Sequence, residues 1–432
     1  MSLKRYFNTL PYLILISAFG VYVVPGVRME HLIIYPSVAL FIIYALLTMK
    51  KMITNYFFIF LIWVVFLAIT LTVTRFNNGE SFNILGDVES FITPMLLMIL
   101  FLFISGNQNK VTVEETLIKS SKTLIVMLVF NTIFIIYSMF NDVTQLGAMF
   151  WGGESTVAHA AMTNGRYSGV FNQPMEAGVA YSIGLLAWLY LSEKINTSTF
   201  KYTLSLFLMV IGGLVTVSKV FIFGGLGLFF LGALINKSLR KRIIKLMIRT
   251  LIIAVPGFFL VFRTWSGLEY LLRFTTPTEG FLTMVTAGRF GEESQQASLF
   301  SEVWSENPIF GRGFGVTEIY DSEFFRFFAI GGTTGLILYG IIIVILIYAG
   351  IKSIKINRFK EESKLFILLI VLIIGTGIGA PTLTLNRSSV ILWVFIGLLF
   401  QYFYYQKTEV KQKKEIDLSQ MVINDTLNQT VR

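Results

Sequence analysis

Along most of this 432-residue chain, apolar runs alternate with short polar turns. The runs are close to the roughly 20 residues of helix needed to cross a hydrocarbon core. The pattern predicts twelve spans, near residues 9–25, 31–49, 56–74, 88–105, 122–140, 174–191, 202–217, 220–236, 248–263, 325–350, 365–381 and 388–405. The pair 202–217 and 220–236 needs an argument. As one helix it would be about 50 Å long, too long for a core of about 30 Å. Two short helices with a turn at Ser218-Lys219 fit better. The expected fold class is therefore all-α: a polytopic membrane domain over residues 1–405 and a polar tail at 406–432. Two longer loops interrupt it, at about 141–173 and 264–324.

Composition agrees with this pattern. Hydrophobic residues make up 55% of the chain and charged residues 14%, against about 25% charged in a soluble domain. Met1 to Arg5 is a short basic start, and no trusted cleavage site follows it, so the first run reads as a retained span. The absence of cysteine excludes disulfides, thiol catalysis and a cysteine-based metal site. His31 and His159 lie far apart in sequence, which argues against zinc.

The net charge of +10 does not call for nucleic acid, because its distribution follows the positive-inside rule. With the N-terminus in the cytoplasm, 25 of the 35 Lys+Arg fall inside, including Lys50-Lys51, the run KSLRKR from Lys237 and the loop from Lys352 to Lys360. Both termini are then cytoplasmic. The cations left outside are Arg28, Arg75, Arg166, Lys219, Arg263, Arg273, Arg289, Arg312, Arg326 and Arg387, nearly all arginine. Arginine suits bidentate binding of phosphate or carboxylate. It also snorkels to lipid headgroups from helix ends, and that accounts for most of the ten. Charged residues sit at span edges, so the midplane ionisable groups expected of an ion-coupled transporter are not apparent. Gly212-Gly213, Gly224-Gly225 and Gly331-Gly332 allow close helix packing.

The two loops carry the candidate chemistry. In GRYSGVFNQPMEAG, from Gly165 to Gly178, glycines permit tight turns, and Pro174 and Glu176 look like the first turn of a helix. Arg166 beside that helix start is either an anion site or one surface arginine at a re-entry turn. In the second loop, residues 292–306 read as an amphipathic helix, with Leu299, Phe300, Val303 and Trp304 on one face. It is expected to lie on the membrane surface, apolar face down, and to end at Asn307-Pro308. Arg289 stands at its N-terminal end. Gly311, Gly313 and Gly315 alternate around Arg312, and such a strip leaves backbone amides bare to an extended ligand. Asp321 and Glu323 lie at the outer mouth of the tenth span, as chemical groups or as ordinary N-terminal helix carboxylates. Arg387 sits at the mouth of the last.

These residues resemble the superfamily of O-antigen and capsule polysaccharide polymerases (Wzy type) and O-antigen ligases. The segment RYSGVFNQP is similar to that family's arginine–glycine–phenylalanine–asparagine–proline motif. Arg289 followed by Trp304, Asn307-Pro308 and the run Gly311 to Gly315 is a second likeness, and Ser322 with Gly332 and Gly335 a third. Where the ligases carry histidine, this chain has Asp321, which favours polymerase. Where the family has serine–arginine, it has Ser218-Lys219, and lysine lacks the planar fork. The resemblance implies an all-helical fold and glycosyl transfer outside the cytoplasm. Undecaprenyl-pyrophosphate-linked oligosaccharide would be both donor and acceptor. A chain-length regulator and a flippase would be partners, and lipopolysaccharide or capsule the product. Arg289, Arg166 and Lys219 would stabilise the leaving pyrophosphate, with Arg312, Arg387 and the three glycines contacting substrate. Asp321 would be the base, with Glu323 in reserve. No Asp-x-Asp motif implies a metal, and no cofactor is called for. The competing expectations are a ligase, a lipid-linked oligosaccharide flippase or other transporter, and a non-enzymatic envelope assembly protein.

Overall fold

The computed structural model describes residues 3–24, 26–48, 51–76, 84–104, 109–154, 156–195, 199–235, 267, 295–315, 322–357 and 360–430. Helices occupy eleven of the twelve predicted spans, and the segment 248–263 lies outside the described residues. They are α1 (Leu3–Ser17), α2 (Met29–Thr48), α3 (Thr54–Phe76), α4 (Ile84–Leu102) and α5 (Lys110–Phe140). The first loop adds α6 (Thr144–Trp151) and α7 (Val157–Thr163). There follow α8 (Pro174–Lys194), α9 (Thr199–Val215), and a π-helical stretch, Val220–Leu226, running into α10 (Gly227–Ile235). The second loop contributes α11 (Gln295–Glu306), and α12 (Glu323–Asn357), α13 (Glu361–Gly377) and α14 (Asn386–Thr430) complete the order. Among the described residues, seven helices are long and apolar enough to cross a membrane: α2, α3, α4, α5, α8, α12 and α14. The protein is an all-α, multi-pass membrane protein. Two short antiparallel pairs, Tyr22–Val24 with Val27–Arg28 and Lys51–Met52 with Phe103–Ile104, tie neighbouring turns together.

The centre of the bundle is built from α8 and α14. Their apolar windows are 89% and 83% buried, and no other candidate span exceeds 44%. Small residues explain the position of α8. A Cβ at Gly178 would meet Ser218 Oγ at 2.4 Å, and one at Gly184 would meet Leu128 at 2.2 Å. Without side chains there, neighbouring helices approach closely enough for dispersion to hold them. The turn at Ser218-Lys219 forms as expected. Helix α9 runs antiparallel to α8: Tyr202 and Ser205 lie against Trp188, and Gly212 lies against Tyr181. The chain reverses at residues 216–219, and the next helix runs back alongside α8, with Gly225 at Ser182 and Gly232 at Leu189. The reversal lies at the Pro174 end of α8, where α12 and α14 also begin; this is called the site end below.

Helix α12 departs from a plain span. It is broken at Gly332, whose φ of 59° and ψ of −153° are not helical. The segment Asn307–Gly315 fills the break. Arg312 and Gly313 amides donate to the Ala329 and Ile330 carbonyls, each at 3.0 Å. Thr333 and Thr334 amides donate to the Pro308 and Ile309 carbonyls, at 2.8 and 3.0 Å. Irregular backbone at membrane depth is tolerated only when such partners are supplied. Gly332 thus serves a break rather than only close packing.

Two further departures concern boundaries. Helix α14 continues past residue 405 to Thr430, so no helix end separates the membrane domain from its tail. The apolar face of α11 is not simply laid on a lipid surface. Val303 is fully buried against Phe328 and Ala329, with Leu299 and Leu336 beside it. Phe300 and Trp304 flank that contact and remain 42% and 55% exposed.

Candidate functional site

Three non-helical segments converge at the site end: 164–173 before α8, 307–315 before α12, and 378–385 between α13 and α14. Each is held by a buried charge.

The first group surrounds Arg387, which is fully buried. Its two terminal nitrogens donate to the Val170 and Phe150 carbonyls, and its guanidinium lies 5.6 Å from the Tyr22 ring centre. Glu176, also fully buried, accepts from the Arg387 amide at 2.7 Å and the Asn172 amide at 3.0 Å. Below them Asn131 of α5 accepts from the Val170 amide at 2.8 Å. A Cβ at Gly169 would lie 2.1 Å from Asn131 Oδ1, so only glycine lets this segment descend against α5. Trp151 Nε1 donates to the Gly169 carbonyl at 2.8 Å. The result is a rigid loop. It carries half-buried Arg166, and the Tyr167 amide pairs with the Val215 carbonyl at the turn that carries half-buried Lys219.

The second group surrounds Arg326 of α12, Asp87 and Ser90 of α4, and Glu323. Arg326 donates to Asp87 Oδ1 at 3.1 Å, to Ser90, and to the Thr384 hydroxyl at 2.9 Å. Its guanidinium lies 5.0 Å from the Phe91 ring centre. Glu323 accepts from the Leu383 amide at 2.6 Å and from the Thr384 hydroxyl at 2.8 Å. Thr384 and Arg387 are three residues apart, so the 383–387 segment joins the two charged groups. Trp393 Nε1 fixes it further, donating to the Leu383 carbonyl at 3.0 Å.

A third group lies beside the first. Arg28 is ion-paired with Glu30 at 3.0 Å and with Glu89. The His31 Nδ1 accepts from the Arg28 amide at 3.2 Å, leaving Nε2 to face Glu89 at 3.0 Å. Burial works against the charge on Arg28, but Glu30 and Glu89 outweigh it and raise its pKa above the ordinary arginine value. Arg28 and Arg387 are the opposite charges acting on Glu176, which links this group to the loop of Arg166. Among the described residues, no three His, Asp or Glu side chains converge so as to hold a metal ion.

The predicted site residues divide accordingly. Arg289 and Asp321 lie outside the described residues. Arg166 and Lys219 are on adjoining segments at the site end, half-buried. Arg387 does not project from a mouth; it is an internal staple. Glu323 lies in the first turn of α12, and its oxygens are engaged with the Leu383 amide and the Thr384 hydroxyl. The amides of the glycine strip are not bare. Gly311, Gly313 and Gly315 donate to Asn307, Ile330 and Asp87 Oδ2. Arg312 forms a forked pair with Glu306, both contacts at 2.6 Å, and meets Glu302 at 2.9 Å. The Arg312 hydrogen bonds hold the Glu306 pKa below the ordinary glutamate value.

Sequence reading did not single out Asp87, Ser90 or Glu30. Arg326 appeared only among the outer arginines. A signal was present, since Arg326 lies three residues after Glu323 and Asp87 opens a helix with Ser90 one turn on. Nothing in the sequence pairs those two helices.

Compared with models of known protein families and with curated proteins, the chain has no match.

Proposed function

We propose that this protein is a membrane glycosyltransferase that polymerises lipid-linked glycan at the outer face of the plasma membrane. The observation that carries the reading is the convergence at one end of the bundle. The loop of Arg166 and the turn of Lys219 adjoin there, and α12, whose first residue Glu323 follows Asp321 by two positions in sequence, starts at the same end. Both cation-bearing segments are rigid, so their charges need little reorganisation when negative charge develops.

The reaction is a substitution at the anomeric carbon of the donor sugar. The acceptor hydroxyl oxygen forms the new bond, and the bond to the pyrophosphate oxygen breaks with its electron pair. Arg289, Arg166 and Lys219 stabilise that leaving group. Asp321 accepts the hydroxyl proton. Glu323 is a poorer base, because its oxygens already accept from Leu383 and Thr384.

One observation favours a second reading. Helix α12 is broken, and ionisable groups are buried around the break and at the neighbouring helix starts. Such features occur in transporters, which supports a lipid-linked oligosaccharide transporter as the runner-up. One experiment separates them. Purified protein is given undecaprenyl-pyrophosphate-linked repeat units with excess chelator, and products are resolved by length. A ladder from the native chain and none from folded Asp321→Asn is the expected result. Asparagine caps a helix about as well as aspartate, so the substitution removes the base without the cap. No ladder from the native chain would end the polymerase reading. A full ladder from the variant would end the role of Asp321.

A further inference from the structure

We infer that the cleft between α2 and α4 at the site end binds the ammonium headgroup of a membrane lipid, an aminophospholipid, with Glu89 as its anion and Tyr35 as its aromatic wall. This site does not depend on the transfer reaction proposed above.

Arg28, Glu30, His31 and Glu89 together are short of hydrogen-bond donors. Arg28 Nη2 donates to Glu89 Oε1, and His31 Nε2 reaches the same oxygen at 3.0 Å. The Arg28 amide occupies His31 Nδ1, so the ring proton is on Nε2. Among the described residues, the other three carboxylate oxygens of the group receive no hydrogen bond. Two belong to Glu30, which is fully buried and meets only Arg28 Nε, as an ion pair. The third is Glu89 Oε2. Positive charge is short as well. One guanidinium faces the two carboxylates, while neighbouring Glu176 is met by Arg387.

Glu30 is sealed, but the Glu89 side chain is 24% exposed. Tyr35 stacks on the His31 ring, with centres 5.2 Å apart and planes 7° from parallel, and is itself 41% exposed. Leu32 and Leu85, one turn nearer the helix starts, are exposed apolar residues. The opening of the cleft is thus rimmed by lipid-compatible side chains near the ends of two spans, at the level of lipid headgroups. A primary ammonium supplies what the group lacks: three donors and a positive charge. An aromatic face beside it adds cation–π attraction. Choline brings the charge without N–H donors, and glycerol brings donors without the charge.

The test titrates the full chain, stripped of lipid in detergent, with phosphatidylethanolamine, phosphatidylcholine and phosphatidylglycerol, and counts bound lipid by native mass spectrometry. Phosphatidylethanolamine is expected to bind about tenfold more tightly than either of the others, the worth of one charge-assisted hydrogen bond. Folded Glu89→Gln is expected to lose that preference. Tyr35 is exposed, so Tyr35→Leu keeps the fold even where the change at Glu89 does not. It is expected to weaken phosphatidylethanolamine by about two- to fivefold. Free ethanolamine at the same concentration is expected to leave the lipid in place. Equal affinity for the three lipids would overturn the inference, and so would the native preference and affinity in either folded variant. Displacement by free ethanolamine would overturn the lipid as the source of the amine.

Discussion

At the scale of single residues, the arginines at the site end do different things. Arg387 spends its fork on two backbone carbonyls in the interior, Val170 and Phe150. Lysine cannot bridge both, and alanine leaves Glu176 buried with one fewer opposite charge. Removing one partner of a buried ionic arrangement costs about 3–5 kcal/mol. Arg387→Ala should therefore sharply lower the thermal midpoint in detergent, and Arg387→Lys should lower it less. A native midpoint in both would return Arg387 to the substrate side. Arg312 behaves as a surface clamp, since Glu302 and Glu306 are about half exposed. Hydrogen bonds from Arg312 depress the Glu306 pKa, so this contact stabilises the fold above the unfolded glutamate value of 4.5 and is lost as pH falls through the lower folded value. Trp304 emission should be steady from pH 8 to about pH 5 and change below the ordinary glutamate range. Arg312→Gln should abolish that acid transition, and an unaltered transition in this variant would exclude the clamp.

At the scale of elements, the break in α12 and the strip that fills it are one unit. Gly332 has a backbone conformation nearly restricted to glycine, and a Cβ there would meet the Gly311 nitrogen and the Ile309 carbonyl at 2.6 Å. Backbone strain of about 1–3 kcal/mol and overpacking of about 1–3 kcal/mol should combine in Gly332→Ala. Gly340, two turns on in the same helix, has open space around its Cβ position. Gly340→Ala should be neutral or stabilising, by up to about 1 kcal/mol. Folded yield and thermal midpoint of the two variants test this directly. Equal tolerance at both positions would mean that the break is not required. The turn at 216–219 is a similar unit, because Ser218 fits only where α8 has Gly178.

At the scale of the whole molecule, the two ends differ in chemistry. The site end gathers Arg28, Glu89, Asp87, Glu176, Arg326 and Arg387 in buried groups. The opposite end carries Lys194 paired with Glu114 and Glu362, Lys364 paired with Glu193, and Lys110 paired with Glu409. The lysine-rich sequence bias predicts that the opposite end faces the cytoplasm. The chain has no cysteine, so single cysteines report cleanly. Cysteine in place of Ser294 should react with an impermeant reagent on intact protoplasts, and cysteine in place of Ser238 should not. The reverse pattern would invert the topology and move the proposed reaction to the other side.

The sequence by itself determined the elements. Span length, apolar period and charge bias depend on local composition, and they placed helices where eleven are found. They also placed the turn at Ser218-Lys219, because the length of a helix is bounded by the thickness of the bilayer. Pro174 and Glu176 marked the start of α8 for an equally local reason. What only the tertiary structure decided is which polar groups meet. Arg387 and Arg326 look alike in sequence to arginines at a membrane surface. Whether such a side chain snorkels, binds a ligand or staples two loops depends on carbonyls and carboxylates 58 to 239 residues away. The alternating glycines read as open backbone, yet their amides are spent on the break in α12, a partner that no local pattern announces.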